Sequence, residues 1–132
     1  MILDSSAIVG IVLREPGFER MVSRLAAAEA LAVGAPTLAE AGIVLTARLG
    51  RDARGLLQGL LREWGAETVS FGEEHWREAV TAYARFGRAR HKAQLNFGDC
   101  MAYAVAKLAG EPLLWHGRRL PQDRPGARLK AG

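Results

Sequence analysis

Three acids, Asp4, Glu40 and Asp99, are the side chains whose placement points to chemistry. Carboxylates gathered at one place repel one another and call for a cation. As hard oxygen donors they suit Mg²⁺ or Mn²⁺, which keep several waters. A metal so held can activate water and stabilise a pentavalent phosphate. Each acid also has an ordinary reading. Asp4 can cap a helix beside Ser5 and Ser6, Asp99 can complement a helix dipole, and Glu40 can be a solvated helix residue.

The elements that must position them decide between these readings. The opening apolar run stops at Asp4, as a buried strand would, and Ser5 and Ser6 can cap a helix from Ala7 to Leu13. Phe18 to Ala30 carries apolar residues at helical spacing. Leu31 to Ala35 reads as a second strand, and Pro36 or Thr37 opens a helix that runs to Leu49. Asp52 to Trp64 is a further amphipathic helix, Glu67 to Ser70 a third strand, and Glu73 to Phe86 a helix. Gly87 to Gln94 is basic and irregular; a helix from Asp99 to Ala109 then leads to a fourth strand, Pro112 to Trp115. The tail from about residue 117 reads as loop, with room for a short edge strand. Short strands alternating with helices predict an α/β fold with a central, mostly parallel sheet of four or five strands and helices on both faces. Such sheets bind ligands at the carboxyl ends of their strands. Asp4 ends the first strand, Glu40 lies in the first turn or so of the helix after the second, and Asp99 starts the helix into the fourth. All three can therefore meet at one crevice, which favours a metal site.

The same residues carry a family resemblance. The opening Met1-Ile-Leu-Asp4-Ser-Ser-Ala-Ile-Val, the segment Thr37-Leu-Ala-Glu40 and above all Leu95-Asn-Phe-Gly-Asp99-Cys-Met-Ala-Tyr-Ala-Val-Ala-Lys followed by Gly110-Glu-Pro-Leu-Leu-Trp115 resemble a PIN domain of the VapC type, the toxin ribonuclease of a bacterial toxin–antitoxin pair. The resemblance covers essentially the whole chain. It implies a three-layer α/β/α PIN-like fold and metal-dependent cleavage of RNA phosphodiester bonds, with Asp4, Glu40 and Asp99 as the acidic Mg²⁺ or Mn²⁺ cluster. Ser6 matches a small hydroxyl residue that supports the site in the family. Asn96 matches the pattern as well, with capping of the Asp99 helix as its simplest role. The resemblance also implies a cognate antitoxin that inserts a segment into the groove, and a homodimer. The chain departs from the family after the fourth strand. Arg119 stands where the family has a fourth acid, and Asp123, four residues further on, is the only replacement acid at hand. That departure keeps a second reading open: a catalytically weak or silent RNA-binding or antitoxin-binding domain.

Composition and charge agree with an RNA partner. The 132 residues, 49% apolar and 24% charged, suit one globular domain over 1–132 and exclude disorder. Residues 1–74 carry 7 basic and 10 acidic groups, whereas 75–98 set Arg77, Arg85, Arg88, Arg90 and Lys92 against Glu78 alone. Residues 113–132 repeat that excess, with five basic groups against Asp123. Two basic blocks on an acidic body suit a polyanion or an acidic protein. The resemblance implies that Arg85, Arg88, Arg90 and Lys92 flank the groove where RNA phosphates lie, and Arg119 could instead bind a substrate phosphate. No apolar run approaches the roughly 20 residues of a bilayer span, and the start MILDSS lacks the basic opening of a signal peptide. Cys100, the only cysteine, excludes an intramolecular disulfide and makes a reducing cytoplasm the default setting.

Other constellations carry less. His75, His91 and His116 share no ligand spacing; His116, just after the fourth strand, is the one near the crevice. Cys100 lacks an evident histidine partner and reads as a buried small residue. Trp64, Trp76 and Trp115 read as core or interface. A phosphoreceiver would need an acid ending the third strand, where Ser70-Phe71-Gly72 stands, and a haloacid-dehalogenase-like phosphatase would need a second acid at Ser6. The apolar faces of 18–30 and 52–64 exceed what one small sheet can cover, which predicts a homodimer.

Overall fold

The computed structural model describes residues 1–87 and 94–117, and the backbone of 130–131. Five parallel strands, β1 (Ile2–Leu3), β2 (Leu31–Gly34), β3 (Ala66–Val69), β4 (Leu113–Trp115) and β5 (Lys130–Ala131), form one sheet in the order β3-β2-β1-β4-β5. Six helices are present among the described residues: α1 (Ser5–Val12), α2 (Phe18–Ala27), α3 (Ala35–Leu49), α4 (Arg54–Trp64), α5 (Glu73–Phe86) and α6 (Phe97–Ala109). The alternation of side chains along the strands sorts the core into two layers. Ile2, Leu113 and Trp115 face one cluster with Phe86 of α5 and Cys100 and Tyr103 of α6. Leu3 and Leu114 face the other, with Ile8, Met21, Leu45 and Leu57 from α1 to α4. Burying each such side chain contributes roughly 1.5–3 kcal/mol.

Gly34, at the end of β2, lets α6 lie close on the sheet, since a Cβ there would fall 2.7 Å from Cγ2 of buried Val105. At the sheet's centre the order of connections reverses: from β1 the chain builds outward through β2 and β3, then returns to place β4 on the opposite side. A crevice at the carboxyl end of such a switch point is where open α/β sheets bind ligands.

Several boundaries move. The first helix starts at Ser5 because Asp4, in extended conformation, is itself the cap; Ser5 and Ser6 fill the first turn. Helix α2 stops at Ala27, where Ala28 turns extended, three residues before the expected Ala30. Glu40 sits in the second turn of α3, which begins at Ala35. Helix α4 begins at Arg54, two residues after Asp52, whose carboxylate accepts from the Arg54 amide and guanidinium. Those bonds hold the Asp52 carboxyl down at about 2. Helix α6 starts at Phe97, behind Asn96 as its cap. Among the described residues no helix is long and apolar enough to cross a membrane.

The expected source of surplus apolar surface also shifts. Helices α2 and α4 bury Met21, Leu25 and Leu57, leaving Val22 as their one large apolar side chain counted as exposed. The larger exposed groups are Phe97 of α6 at 77% and Ile43 of α3 at 71%, with Val80, Trp76 and Tyr83 on α5. Trp76 is not core: Arg77 stacks on its ring at 4.8 Å. Trp115 is buried, and Trp64 is half-buried against the α1–α4 layer.

Candidate functional site

Asp4 leaves the sheet between β1 and α1, where its amide donates to the Leu114 carbonyl of β4 at 2.9 Å. Its carboxylate Oδ2 then accepts from the Ser6 amide at 3.2 Å and from Ser6 Oγ at 2.6 Å, which closes the first turn of α1. The Ser6 hydroxyl in turn accepts from the His116 amide at 2.9 Å. One hydroxyl thus ties the end of β4 to the carboxylate at the end of β1. Asp4 is 5% exposed, so this pairing offsets part of the cost of keeping a carboxylate out of water.

Asp99 is held by reciprocal capping. Its amide donates to Asn96 Oδ1 at 2.8 Å, and its Oδ2 accepts from the Asn96 amide at 3.0 Å. Such a box satisfies two donors at a helix start and sets the side chain at the helix mouth. Glu40 reaches across from α3, where its Oε1 accepts from Ser5 Oγ at 2.9 Å. It lies against Gly98: a Cβ on that residue would come 2.5 Å from Glu40 Oε1 and 2.7 Å from Oε2. Neither Ser5 as the partner of Glu40 nor Gly98 as its floor was foreseen. The only sequence signals were the second hydroxyl beside Asp4 and a glycine in a helical first turn.

Asp4, Ser5, Ser6, Glu40, Asn96, Asp99, Trp115 and His116 line a single open cleft of about 210 Å³. Trp115, on the lining, has its buried Nε1 without a hydrogen-bond partner. Carboxylate and hydroxyl oxygens without sulfur make a donor set suited to a hard divalent cation. Among the described residues, however, no three His, Cys, Asp or Glu side chains stand close enough together to hold an ion as they are placed. Asp4 and Asp99 accept from donors two and three residues away along the chain, and Glu40 accepts from Ser5, 35 residues away.

The remaining candidates fall elsewhere. Arg85 lies on the exposed side of α5, with its guanidinium 4.7 Å from the Phe86 ring, and is not on the cleft lining. Arg88, Arg90, Lys92, Arg119 and Asp123 lie outside the described residues. Cys100 is buried behind Asp99, and His75 accepts from the Gly72 amide at the start of α5.

A model of the PIN domain family matches residues 1–124. The chain belongs to the PIN domain family. Among relatives of this PIN protein, Ribonuclease VapC36 of Mycobacterium tuberculosis is 46% identical over 123 residues, covering 92% of this chain and 88% of the relative. Ribonuclease VapC of Mycolicibacterium smegmatis is 34% identical over 117 residues, covering 89% and 91%. Among solved structures, VapBC2 from Rickettsia felis bound to a promoter DNA fragment aligns with a TM-score of 0.70 at 13% identity, covering 99% of this chain and 97% of that one. A toxin–antitoxin complex from Klebsiella pneumoniae aligns with a TM-score of 0.67 at 12% identity, covering 96% and 93%. At such identities the two structures speak for the fold alone.

Proposed function

We propose that this PIN-domain protein is an endoribonuclease that acts as the toxin of a toxin–antitoxin pair. The observation that carries the reading is the likeness, over nearly the whole chain, to relatives named as VapC ribonucleases. The cleft supports it, because three carboxylates at a strand-end switch point suit phosphodiester hydrolysis far better than nucleophilic or redox chemistry. Asp4 and Asp99, with Glu40 beside them, would hold Mg²⁺ or Mn²⁺. Such an ion, when bound, polarises a phosphoryl oxygen and lowers the pKa of its water. The chain's own residues orient the acids: Ser6 fixes Asp4, Asn96 fixes Asp99, and Ser5 with Gly98 fixes Glu40. An antitoxin occupying the cleft would silence the enzyme by covering these groups. A cytoplasmic setting fits this reading, since RNA would be the substrate there.

The test is cleavage of a labelled, structured RNA pool by protein freed of antitoxin. Cutting is expected with Mn²⁺ and lost on adding EDTA; equal cutting in EDTA would overturn the metal dependence. We also propose a homodimer, supported by the exposure of Ile43 and Phe97 beside the cleft. Light scattering should then give about twice the 14.3 kDa chain mass, and a monomer at high concentration would rule it out.

A further inference from the structure

His116 is the only described side chain lining the cleft that can carry positive charge. Its ring is seated rather than loose. Nε2 lies 3.8 Å from Glu15 Oε1, and the side chain is 20% exposed. The pair rests on glycine backbone: a Cβ at Gly10 would fall 3.1 Å from His116 Cδ2 and 3.3 Å from Glu15 Oε1, and one at Gly17 3.8 Å from His116 Cε1. The amide of the same residue is bound to Ser6, so its main chain is anchored as well as its ring. Three carboxylates on one cleft repel a phosphodiester, and a cation placed among them offsets that repulsion locally.

We infer that His116 contacts a backbone phosphate of the RNA in the cleft and that Glu15 is the positioning residue that orients its ring. The inference rests on the ribonuclease reading and adds a substrate contact to it. An imidazole braced by a carboxylate on one side presents a fixed edge to a ligand on the other, and in its protonated form both nitrogens donate. Arg85 cannot serve here, since it is off the lining.

The experiment compares wild type, His116→Gln, His116→Arg and Glu15→Gln at pH 6 on a short single-stranded RNA with Mn²⁺ over a range of KCl. Both kcat and KM are read from cleavage, and affinity from fluorescence anisotropy of the same RNA. His116→Gln is expected to weaken RNA affinity and raise KM about tenfold with a smaller change in kcat. It should lower the slope of log affinity against log salt by about 0.7, the value for one phosphate contact on a single strand. His116→Arg should restore the slope, Glu15→Gln should shift KM in the same direction by less, and Mn²⁺ affinity should stay put in all three. An unchanged slope and KM in His116→Gln would overturn the inference while leaving the ribonuclease reading intact. So would a loss matched by an equal fall in Mn²⁺ affinity, which would mean that the residue acts only through the acids. Absence of cutting by wild type would overturn the ribonuclease reading, and the anisotropy slopes would still decide His116.

Discussion

Asp99→Asn is expected to lower metal-supported RNA cleavage by about 10³-fold or more while leaving the melting temperature nearly unchanged. The reasoning separates two jobs of one side chain. As the third residue of the capping box, position 99 must accept from the Asn96 amide, a bond of 3.0 Å. An asparagine oxygen accepts that bond as well as a carboxylate oxygen does, so the start of α6 survives. As a proposed metal donor, position 99 must supply negative charge, and asparagine supplies none. Losing about 4 kcal/mol of transition-state stabilisation corresponds to the 10³-fold expected here. Asp99→Ala should instead lose both jobs, and about 1 kcal/mol of stability with the bond its carboxylate accepts from the Asn96 amide. Rates from the RNA assay beside thermal melts read the two effects apart. Cutting at the wild-type rate by Asp99→Asn would remove this residue from the site.

Gly98→Ala should do the unusual thing of weakening the enzyme while holding or raising its stability. Alanine is the better helix former by up to about 1 kcal/mol, and position 98 lies in the first turn of α6. Its new Cβ, however, would stand 2.5 Å from Glu40 Oε1 and 2.9 Å from its Cδ. The far end of a glutamate gives way more readily than a helix backbone, so the carboxylate swings off Ser5 and out of its place in the cleft. A displacement of about 1 Å at a reacting site costs roughly 10²-fold in rate. The expected result is therefore a fall of about that size in kcat/KM, with a melting point equal to or above that of the parent. A variant that cuts as the parent does would show that Glu40 can leave without consequence.

The layout of the fold was legible because its punctuation is local. Gly50, Gly65 and Gly110 all end helices in the left-handed conformation, and α5 spans the expected Glu73–Phe86. Starts were harder to read. Aspartate and serine cap equally well, so Asp4-Ser5-Ser6 left three candidates for one cap, and only the carboxylate's bond to the Ser6 amide identifies it. The meeting of the three acids at one cleft follows from strand ends and helix starts, which periodicity places. What fixes each acid was illegible where it depends on distance along the chain. The bond from Ser5 to Glu40 spans 35 residues, and no spacing rule reaches that far. The surplus apolar surface was misplaced for a related reason. Amphipathic patterns show which face of a helix is apolar, but whether a neighbour covers it is a tertiary matter. Helices α2 and α4 bury Met21, Leu25 and Leu57 and leave Val22 exposed, whereas Phe97 and Ile43 are the most exposed of the large apolar side chains.

The seam between β1 and β4 has a consequence in time. The amide of Asp4 pairs with Leu114, and the hydroxyl of Ser6 with the amide of His116, 110 residues onward in each case. Synthesis proceeds at about 5–20 residues per second, so roughly 5 to 20 s separate the birth of Asp4 from that of its partner. Throughout that interval the nascent chain carries the first acid of the cleft without the strand that locks it. The constellation of Asp4, Glu40 and Asp99 therefore closes only once β4 has been made, long after the residues of α1 and α3 that it locks together.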